Sequence, residues 1–541
     1  SGSPSLVPAR RLPVLLWGRV PMAGDLSLLE RERPSSSSSA EEEEGPGKRK
    51  RVHREVAARP VLGASMEDAI AYLEESGASS QADGCLALAK LLRHNQLPGL
   101  ARSTAVKLGA IGLLVSALKS HPHDTAVQNN GCFALFSLVD GTDEAAEERR
   151  QSVAAAGAIP LLVAALSLNL GHADVQKYGC AALSHLVRGS GAKAEQRKQE
   201  AHAVGAVPLV AAALRAHPQQ TDVQKHGCSA MCRIVDGSTA AAAESRRQQA
   251  ADAGVLPLLV AALRARPLTA AVQASGCLAL GHLAHGEDAP AEARRQSAAA
   301  AGAIPLVVTA MRSHAHELDV QSRGCYALSS FLVGRGDAAA AAEARRQQVV
   351  DAGAIPLVVA ALQVNAQDPY VQRNGCIALG RLAAGVELGA EAGKQVAIEA
   401  GAFPLLLSAM RRLHADAKMQ TNGCWVLSRL VEGSGTAADA RRQAAIDAGA
   451  MALVSAALRE HADHHAIQGA VSRLLARLLG LPTDRDAWPA TCVKVSEWRT
   501  LAEQWTTPLH FLYHMSANTA RALLRDGADL HARAPPPPSP P

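Results

Sequence analysis

Cysteine is the residue type in this sequence with the most chemistry to offer, and its spacing is regular. The 541-residue chain has ten cysteines, and eight of them follow a glycine at intervals of about 48 residues: Cys85, Cys132, Cys180, Cys228, Cys277, Cys325, Cys376 and Cys424. A thiolate can act as a nucleophile or a metal ligand, and two thiols can form a disulfide. A disulfide, however, needs Cα atoms within about 7 Å, whereas packed helices lie about 8–10 Å apart. One cysteine per segment therefore predicts small buried side chains in a reducing compartment, with Cys232 and Cys492 as isolated extras.

No other set of residues forms a recognisable reactive centre. The segment from Gly389 to Lys394 is one residue short of a phosphate-binding loop, and Gln395 stands where Ser or Thr belongs. Histidines cluster in polar segments, but no carboxylate or thiol completes a metal set: His121/His123, His314/His316 and His461/His464/His465. We therefore expect no enzyme activity, no metal and no cofactor.

The cysteines belong to a longer repeating pattern. A glutamine stands four residues before each of the eight: Gln81, Gln128, Gln176, Gln224, Gln273, Gln321, Gln372 and Gln420. A ninth copy begins at Gln468 but has Val471-Ser472 in place of Gly-Cys. Self-similarity at a fixed period of this length predicts stacked structural repeats.

Two further signatures place helices around the Gly-Cys pattern. Each unit opens on a segment such as Gly157-Ala158-Ile159-Pro160, in which Gly ends one helix and Pro starts the next. The Gly-Cys helix follows a polar loop, and we expect its N-cap at Asp174, Asp222 and Asp319. A short segment with the sequence Arg-Arg-Gln closes the unit. The composition, 48% hydrophobic but only 3% aromatic, suits closely packed helices rich in Ala.

These paired signatures resemble the armadillo repeat. The resemblance spans about residues 61–480 as nine units, which at about 48 residues are longer than the usual ~40–47. It implies an all-α fold, a right-handed armadillo-type α-solenoid in which three-helix repeats form a superhelix. The alternative of HEAT repeats lacks the Gly-Ala-Ile-Pro opening.

The flanking regions differ in composition from the repeats. Residues 1–60 are predicted to be a disordered low-complexity region, and its run Lys48-Arg49-Lys50-Arg51 resembles a short nuclear localisation signal. Residues 481–504 are expected to be a linker, and 534–541 a proline-rich tail. Residues 505–533, with Thr507-Pro508-Leu509-His510, resemble a single ankyrin repeat. The absence of an apolar run of about 18 residues predicts no membrane insertion, and no secretion signal is recognised, so we expect a cytoplasmic protein with nuclear entry as the alternative.

Comparison of the Gly-Cys helices with one another separates core from surface. Positions equivalent to Val175, Gly179 and Leu183 keep their character and predict the buried face. Positions equivalent to Lys177 and His185, with those at 178 and 181, vary, and the resemblance places them in a concave groove. The candidate peptide-binding residues are Lys90, Phe133, Lys177, His185, Lys225, Arg233, Arg323, Tyr326, Arg373, Arg381, Trp425, Arg429, Arg473 and Arg477.

These positions carry ten Lys or Arg and one acid, Asp83, whereas the whole chain is nearly balanced at 55 Lys and Arg against 50 Asp and Glu. A basic groove predicts a non-enzymatic scaffold that binds an extended acidic or phosphorylated segment of another protein. The first alternative is a nuclear transport adaptor of importin-α type, although only Trp425 matches the Trp positions of that family. The second is an RNA-binding helical-repeat protein. A solvated face that favours Lys and Arg for solubility is the plainer reading. Oligomeric state is left open.

Overall fold

The computed structural model describes residues 65–94, 97–237, 240–334, 336–384, 388–461 and 463–478. In these ranges the chain is helical and contains no strand, with one short 3₁₀ turn at Gly336–Ala338. The fold is an all-α solenoid. The predicted low-complexity region with Lys48-Arg49-Lys50-Arg51, the linker, the ankyrin-like segment and the proline-rich tail lie outside the described residues.

The helices follow one another in groups of three, preceded by the pair α1 and α2. The first helices of the groups are α3 (Pro98–Lys107), α6 (Glu144–Ala155), α9 (Ala192–Ala203), α12 (Ala240–Asp252), α15 (Ala289–Ala300), α18 (Ala339–Asp351), α21 (Leu388–Glu399) and α24 (Thr436–Asp447). The second helices are α1 (Met66–Glu74), α4 (Ala110–Ser120), α7 (Ala158–Leu168), α10 (Ala206–Ala216), α13 (Val255–Ala265), α16 (Ala303–Ser313), α19 (Ala354–Val364), α22 (Ala402–Arg412) and α25 (Ala450–Glu460). The third helices, which carry the Gly-Cys pattern, are α2 (Ala78–His94), α5 (Thr125–Val139), α8 (Ala173–Leu186), α11 (Thr221–Val235), α14 (Ala270–Leu283), α17 (Leu318–Phe331), α20 (Pro369–Leu382), α23 (Ala417–Leu430) and α26 (His465–Leu478).

Each third helix packs on the next one along the chain, so that the third helices form a continuous stack. The Arg-Arg-Gln segments lie in the first helices, which are longer than the short segment predicted from the sequence; α6 has 12 residues. No single helix in the described ranges is both long and apolar enough to cross a bilayer. Three pairs, α3–α4, α6–α7 and α18–α19, reach that length and composition only together, and they bend by 72°, 70° and 69°.

The ends of the helices follow from backbone chemistry. Gly157 has φ 83°, the left-handed conformation predicted between the first and second helices. The predicted N-caps Asp174, Asp222 and Asp319 are wrong, because each is the second residue of its helix. The connection is a tight turn closed by backbone hydrogen bonds, so the helix begins earlier than the sequence suggested.

The repeated glutamine connects the third helices α2 to α23 to the second helix before each of them. Nε2 of Gln176 donates hydrogen bonds to the carbonyl oxygens of Leu166 at 2.9 Å and Asn169 at 2.8 Å. These carbonyls lie at the end of α7, where a helix has no internal donors for them. The same pair of bonds is made by Gln128, Gln224, Gln273, Gln321, Gln372 and Gln420.

The repeated glycine lets the same two helices approach closely. A Cβ atom at Gly227 would lie 2.6 Å from Cδ2 of Leu214, which belongs to the second helix of that group. A Leu or Met of the preceding second helix fills the corresponding space at Gly84, Gly131, Gly179, Gly276, Gly324, Gly375 and Gly423. Glycine is required here by contact between helices, because the φ angles of these residues are ordinary.

We expect Gly227→Ala to destabilise the protein by about 1–3 kcal/mol, because the added methyl group overpacks against buried Leu214. The matched control is Gly112→Ala in α4, where a Cβ meets no atom within 4 Å. Helix propensity alone should make that variant more stable by up to about 1 kcal/mol. Thermal denaturation followed by circular dichroism compares them, and a stabilised Gly227→Ala variant would contradict the packing argument.

Buried arginines of the first helices form ion pairs with glutamates of the preceding first helices. We call this series of ion pairs the ladder, and each pair a rung. Arg294, which is 2% exposed, donates from Nε to the carbonyl oxygen of Leu283 at 2.7 Å and from Nη1 to Glu244 Oε1 of the preceding group at 2.6 Å. The equivalent rungs are Glu147–Arg197 at 2.7 Å, Glu195–Arg246 at 2.7 Å, Glu292–Arg345 at 2.6 Å and Glu391–Arg441 at 2.7 Å. One side chain thus satisfies the end of the third helix of the preceding group and also pairs with the first helix of that group.

The carboxyl group of Glu292 gives the ladder a pH dependence. Burial tends to raise its pKa, but hydrogen bonds from Arg345 and Arg295 outweigh burial and hold the pKa below its ordinary value. A folded pKa below the unfolded one adds stability that is present above the unfolded value, near 4.3, and is lost as pH falls through the folded value.

We therefore expect Glu292→Gln to lower the melting temperature at pH 7, because two buried guanidinium groups lose their counter-charge. The difference from the native protein should shrink between pH 5 and pH 3. The control is Glu343→Gln: Glu343 is the equivalent acid, but its partner is Arg346 of its own helix. Equal losses in the two variants at pH 7 would refute the role of the cross-group rung.

Candidate interaction surface

The fourteen predicted site residues all lie on third helices, and the stacking of these helices arranges them in rows. They are Lys90 on α2, Phe133 on α5, Lys177 and His185 on α8, Lys225 and Arg233 on α11, Arg323 and Tyr326 on α17, Arg373 and Arg381 on α20, Trp425 and Arg429 on α23, and Arg473 and Arg477 on α26. Arg473 is exposed and the others are half-buried. We call the surface formed by these residues the row face.

Acids at the start of the third helices pair with several of these cations. Nζ of Lys177 lies 2.8 Å from Oδ2 of Asp222, which belongs to the next third helix. The hydrogen bond from Lys177 holds the pKa of Asp222 below its ordinary value. The related pairs are Arg323–Asp319 at 3.0 Å and Arg373–Asp416 at 3.6 Å.

Acids just beyond the ends of the third helices pair with others. Nδ1 of His185 lies 3.2 Å from Oδ1 of Asp140, which follows the preceding helix α5. Glu432, after α23, accepts from Arg429 at 2.8 Å and from Arg477 at 2.6 Å. Sequence comparison missed these acids because they stand in the loops. Their position, three residues after the row of His185, is the signal that could have found them, since such residues share a helix face.

Arginines at the positions equivalent to His185 also donate hydrogen bonds to the preceding third helix. Nη1 of Arg381 donates to the carbonyl oxygen of Ser329 at 2.6 Å, and that carbonyl lies in the last turn of the preceding third helix. Arg233 reaches Ser184 at 3.3 Å and Arg477 reaches Ser428 at 3.0 Å in the same way. A guanidinium at a helix C-terminus satisfies free carbonyls and complements the helix dipole. These side chains therefore stabilise the stack.

The predicted aromatic residues are packed between groups. Tyr326 covers Gly281 of the preceding third helix, where a Cβ would lie 2.7 Å from the ring, and Trp425 covers Gly380 in the same manner. Phe133 stacks on Tyr178 with ring centroids 4.4 Å apart. A small residue thus accommodates a large one from the next group, which leaves only part of each ring open to a ligand.

Positive charge without an acidic partner is concentrated between α8 and α11. Within the described ranges, no ion pair is formed by Arg188, which lies two residues after the end of α8, or by Arg233 and Lys225 on α11. Burial lowers the pKa of Arg233, and the nearby charges of Arg188 and Arg323 lower it further. Lys90 and Arg473, at the two ends of the row face, also have no acidic partner in the described part of the chain. Arg188 was not among the predicted residues, because it lies one turn beyond the row that was compared.

The thiols have no chemical environment that would activate them. The nine cysteines of the described ranges are all free and buried. Burial raises the pKa of the Cys180 thiol to about 12, far above the range in which a thiolate forms at neutral pH. These observations agree with the predicted packing role.

We expect the folded protein to show at most one thiol reactive towards Ellman's reagent, that of Cys492, and all ten after unfolding in guanidinium. Cys492 lies outside the described residues, so Cys492→Ala provides the control and should reduce the native count to zero. Rapid labelling of two or more thiols in the native protein would contradict buried, protonated cysteines.

Comparison with solved structures agrees with the fold. A chain from the structure described as "A conserved phosphorylation switch controls the interaction between cadherin and beta-catenin in vitro and in vivo" aligns with a TM-score of 0.57 and 16% identity, covering 85% of each chain. An engineered protein aligns at 22% identity over 60% of this chain and 100% of its own, but its TM-score of 0.31 carries no argument. No family model and no curated protein matches the sequence. The similarity supports an all-α solenoid, and assignment to the armadillo family stays a prediction.

Proposed function

We propose that the protein is a non-enzymatic scaffold that binds an extended acidic or phosphorylated segment of another protein along the row face. The binding is centred on Arg188, Arg233 and Lys225. This location is narrower than the sequence-based prediction, which spread the site over fourteen residues. Other members of that set serve as its flanks.

The observation that best supports this proposal is the positive charge around Arg233 that no nearby carboxylate of the described residues balances. Lys177, Arg323, Arg373, Arg429 and Arg477 already have carboxylates within 4 Å. Arg188 and Arg233 instead repel each other in a half-buried setting, where charge interactions are stronger than in water. A carboxylate or phosphate would relieve this repulsion and accept hydrogen bonds from both guanidinium groups.

The fold supports the same proposal. A stack of helices presents a long surface on which an extended chain can contact several groups at once. The similar structure described above concerns an interaction between two proteins that is controlled by phosphorylation. We infer a comparable class of ligand from the charge of this surface, and we leave the partner's identity open.

We expect Arg188→Glu/Arg233→Glu to weaken binding of a labelled 15-residue Glu/Ser peptide by about 10-fold or more, because attraction becomes repulsion. Fluorescence anisotropy at 50 and 150 mM salt measures the affinity. The matched control is Arg411→Glu/Arg412→Glu, which makes the same charge change on exposed positions of α22, away from the row face. The single variant Arg188→Glu keeps the hydrogen bond between Arg233 and Ser184. Weaker binding by this variant would therefore not be a consequence of misfolding.

The same assay includes a phosphoserine version of the peptide, a Lys/Ser peptide and a single-stranded oligouridylate. If both double variants weakened peptide binding equally, the proposed site near Arg233 would be contradicted. Tight binding of the Lys/Ser peptide would favour the transport-adaptor alternative. Binding of the oligouridylate alone, with a steep salt dependence, would assign the surface to RNA.

A further inference from the structure

The ladder of buried arginines is interrupted at one place. At the boundary between the group α18–α20 and the group α21–α23, Gly393 stands where the other groups place the arginine that crosses. Glu343, which would receive that arginine, instead pairs with Arg346 of its own helix. A Cβ at Gly393 would have only ordinary contacts, the nearest being Ile355 Cδ1 at 3.6 Å. Nothing at this position excludes a side chain. We call this boundary the joint.

The contact on the row face is also missing at the joint. Arg381 and Arg477 each bind a carbonyl of the preceding third helix. Arg429 occupies the equivalent position on α23, but it pairs with Glu432 beyond the end of its own helix at 2.8 Å. Among the described residues it therefore makes no polar contact across the joint.

A third contact, between consecutive loops that join second and third helices, is also missing at the joint. At three other boundaries a histidine that follows the second helix donates to a carbonyl oxygen of the previous loop. Nε2 of His217 donates to the carbonyl oxygen of Leu170 at 2.7 Å, His314 to Pro267 at 2.8 Å and His461 to His414 at 2.7 Å. At the joint the equivalent residue is Leu413, whose side chain cannot donate.

No other boundary from α6 to α26 loses all three contacts. The preceding boundary has Asn365 at the loop position, but it keeps the pair Glu292–Arg345 and the bond from Arg381. The following boundary keeps Glu391–Arg441. Coincidence of three interruptions at one boundary distinguishes the joint from the gradual weakening expected towards the end of a stack.

Among the described residues, most of the packing that we find across the joint is apolar. Trp425 lies over Gly380, and the only ion pair that we find across it in the described part of the chain is Arg373–Asp416, at 3.6 Å and partly exposed. Apolar contact is non-directional, whereas hydrogen-bonded rungs fix both distance and angle. Two packed surfaces of this kind can tilt or slide while they remain in contact.

We propose that the joint divides the solenoid into a rigid body, α1–α20, and an arm, α21–α26, that changes its angle to that body as a unit. The arm lies at the end of the row face away from Arg188 and Arg233. Its motion would adjust the length and curvature of the surface available to a partner. The proposal rests on contacts between groups and stands independently of which ligand binds.

Hydrogen–deuterium exchange of the full chain tests the joint directly. The weak boundary also lets the arm unfold as a unit while α1–α20 stay folded. We therefore expect protection to fall in a step between α20 and α21, with the amides of α21–α23 exchanging about 10-fold or more faster than those of α15–α17. Simple fraying would give a gradient that rises gradually from α26 inward. A gradient of that kind, or equal protection on both sides of the joint, would overturn the proposal.

A second experiment restores the missing contacts. Gly393→Arg/Leu413→His supplies the donors present at other boundaries and should reduce the step at the joint. Arg294→Gly removes a rung elsewhere and should create a new step between α14 and α15. Unchanged exchange in the restored variant, with correct folding shown by circular dichroism, would also overturn the proposal.

Discussion

The buried glutamine of the third helices α2 to α23 makes the contact on which the solenoid depends. Gln176 satisfies two carbonyls at the end of α7, and these groups would otherwise be buried without a donor. Leu166 of the same second helix fills the space left by Gly179. Because a hydrogen-bonded pair and a close apolar contact act on the same two helices, they fix the mutual angle of these helices in the groups that carry both the glutamine and the glycine. The neighbouring cysteine serves as a small apolar side chain, and its burial raises the pKa of its thiol.

The positive charge of the third helices has an architectural origin. Each stacked helix ends in carbonyls that need donors, and the next helix supplies them from Arg233, Arg381 and Arg477. Acids at the helix ends balance much of the remaining charge. Cations that lack an acidic partner are therefore the candidates for ligand binding. Among the described residues these include Arg188 and Arg233, although Arg233 also donates to the carbonyl oxygen of Ser184.

A solenoid has no contacts between distant groups, so the stability of each boundary depends on that boundary alone. The rung between Glu292 and Arg345 cannot compensate for the glycine at position 393. Local loss of polar contacts consequently has a local effect on motion. The site proposed near Arg233 and the joint proposed at Gly393 would therefore act without disturbing each other.

The sequence by itself determined the all-α solenoid, the left-handed turn at residues such as Gly157 and the core position of the cysteines. These features depend on local chemistry and on a period that every repeat shares. The all-helical stack was therefore visible in one chain without relatives. The sequence also selected the third helices as carriers of the candidate surface, although it over-counted the free charges on them. Only the tertiary structure showed that Asp140 and Asp222 reach cations on neighbouring helices, that Trp425 covers Gly380, and that three kinds of contact fail together at Gly393. These outcomes depend on distances between residues about 45 to 50 positions apart, and a pattern within a single repeat does not encode which side chains meet across a boundary.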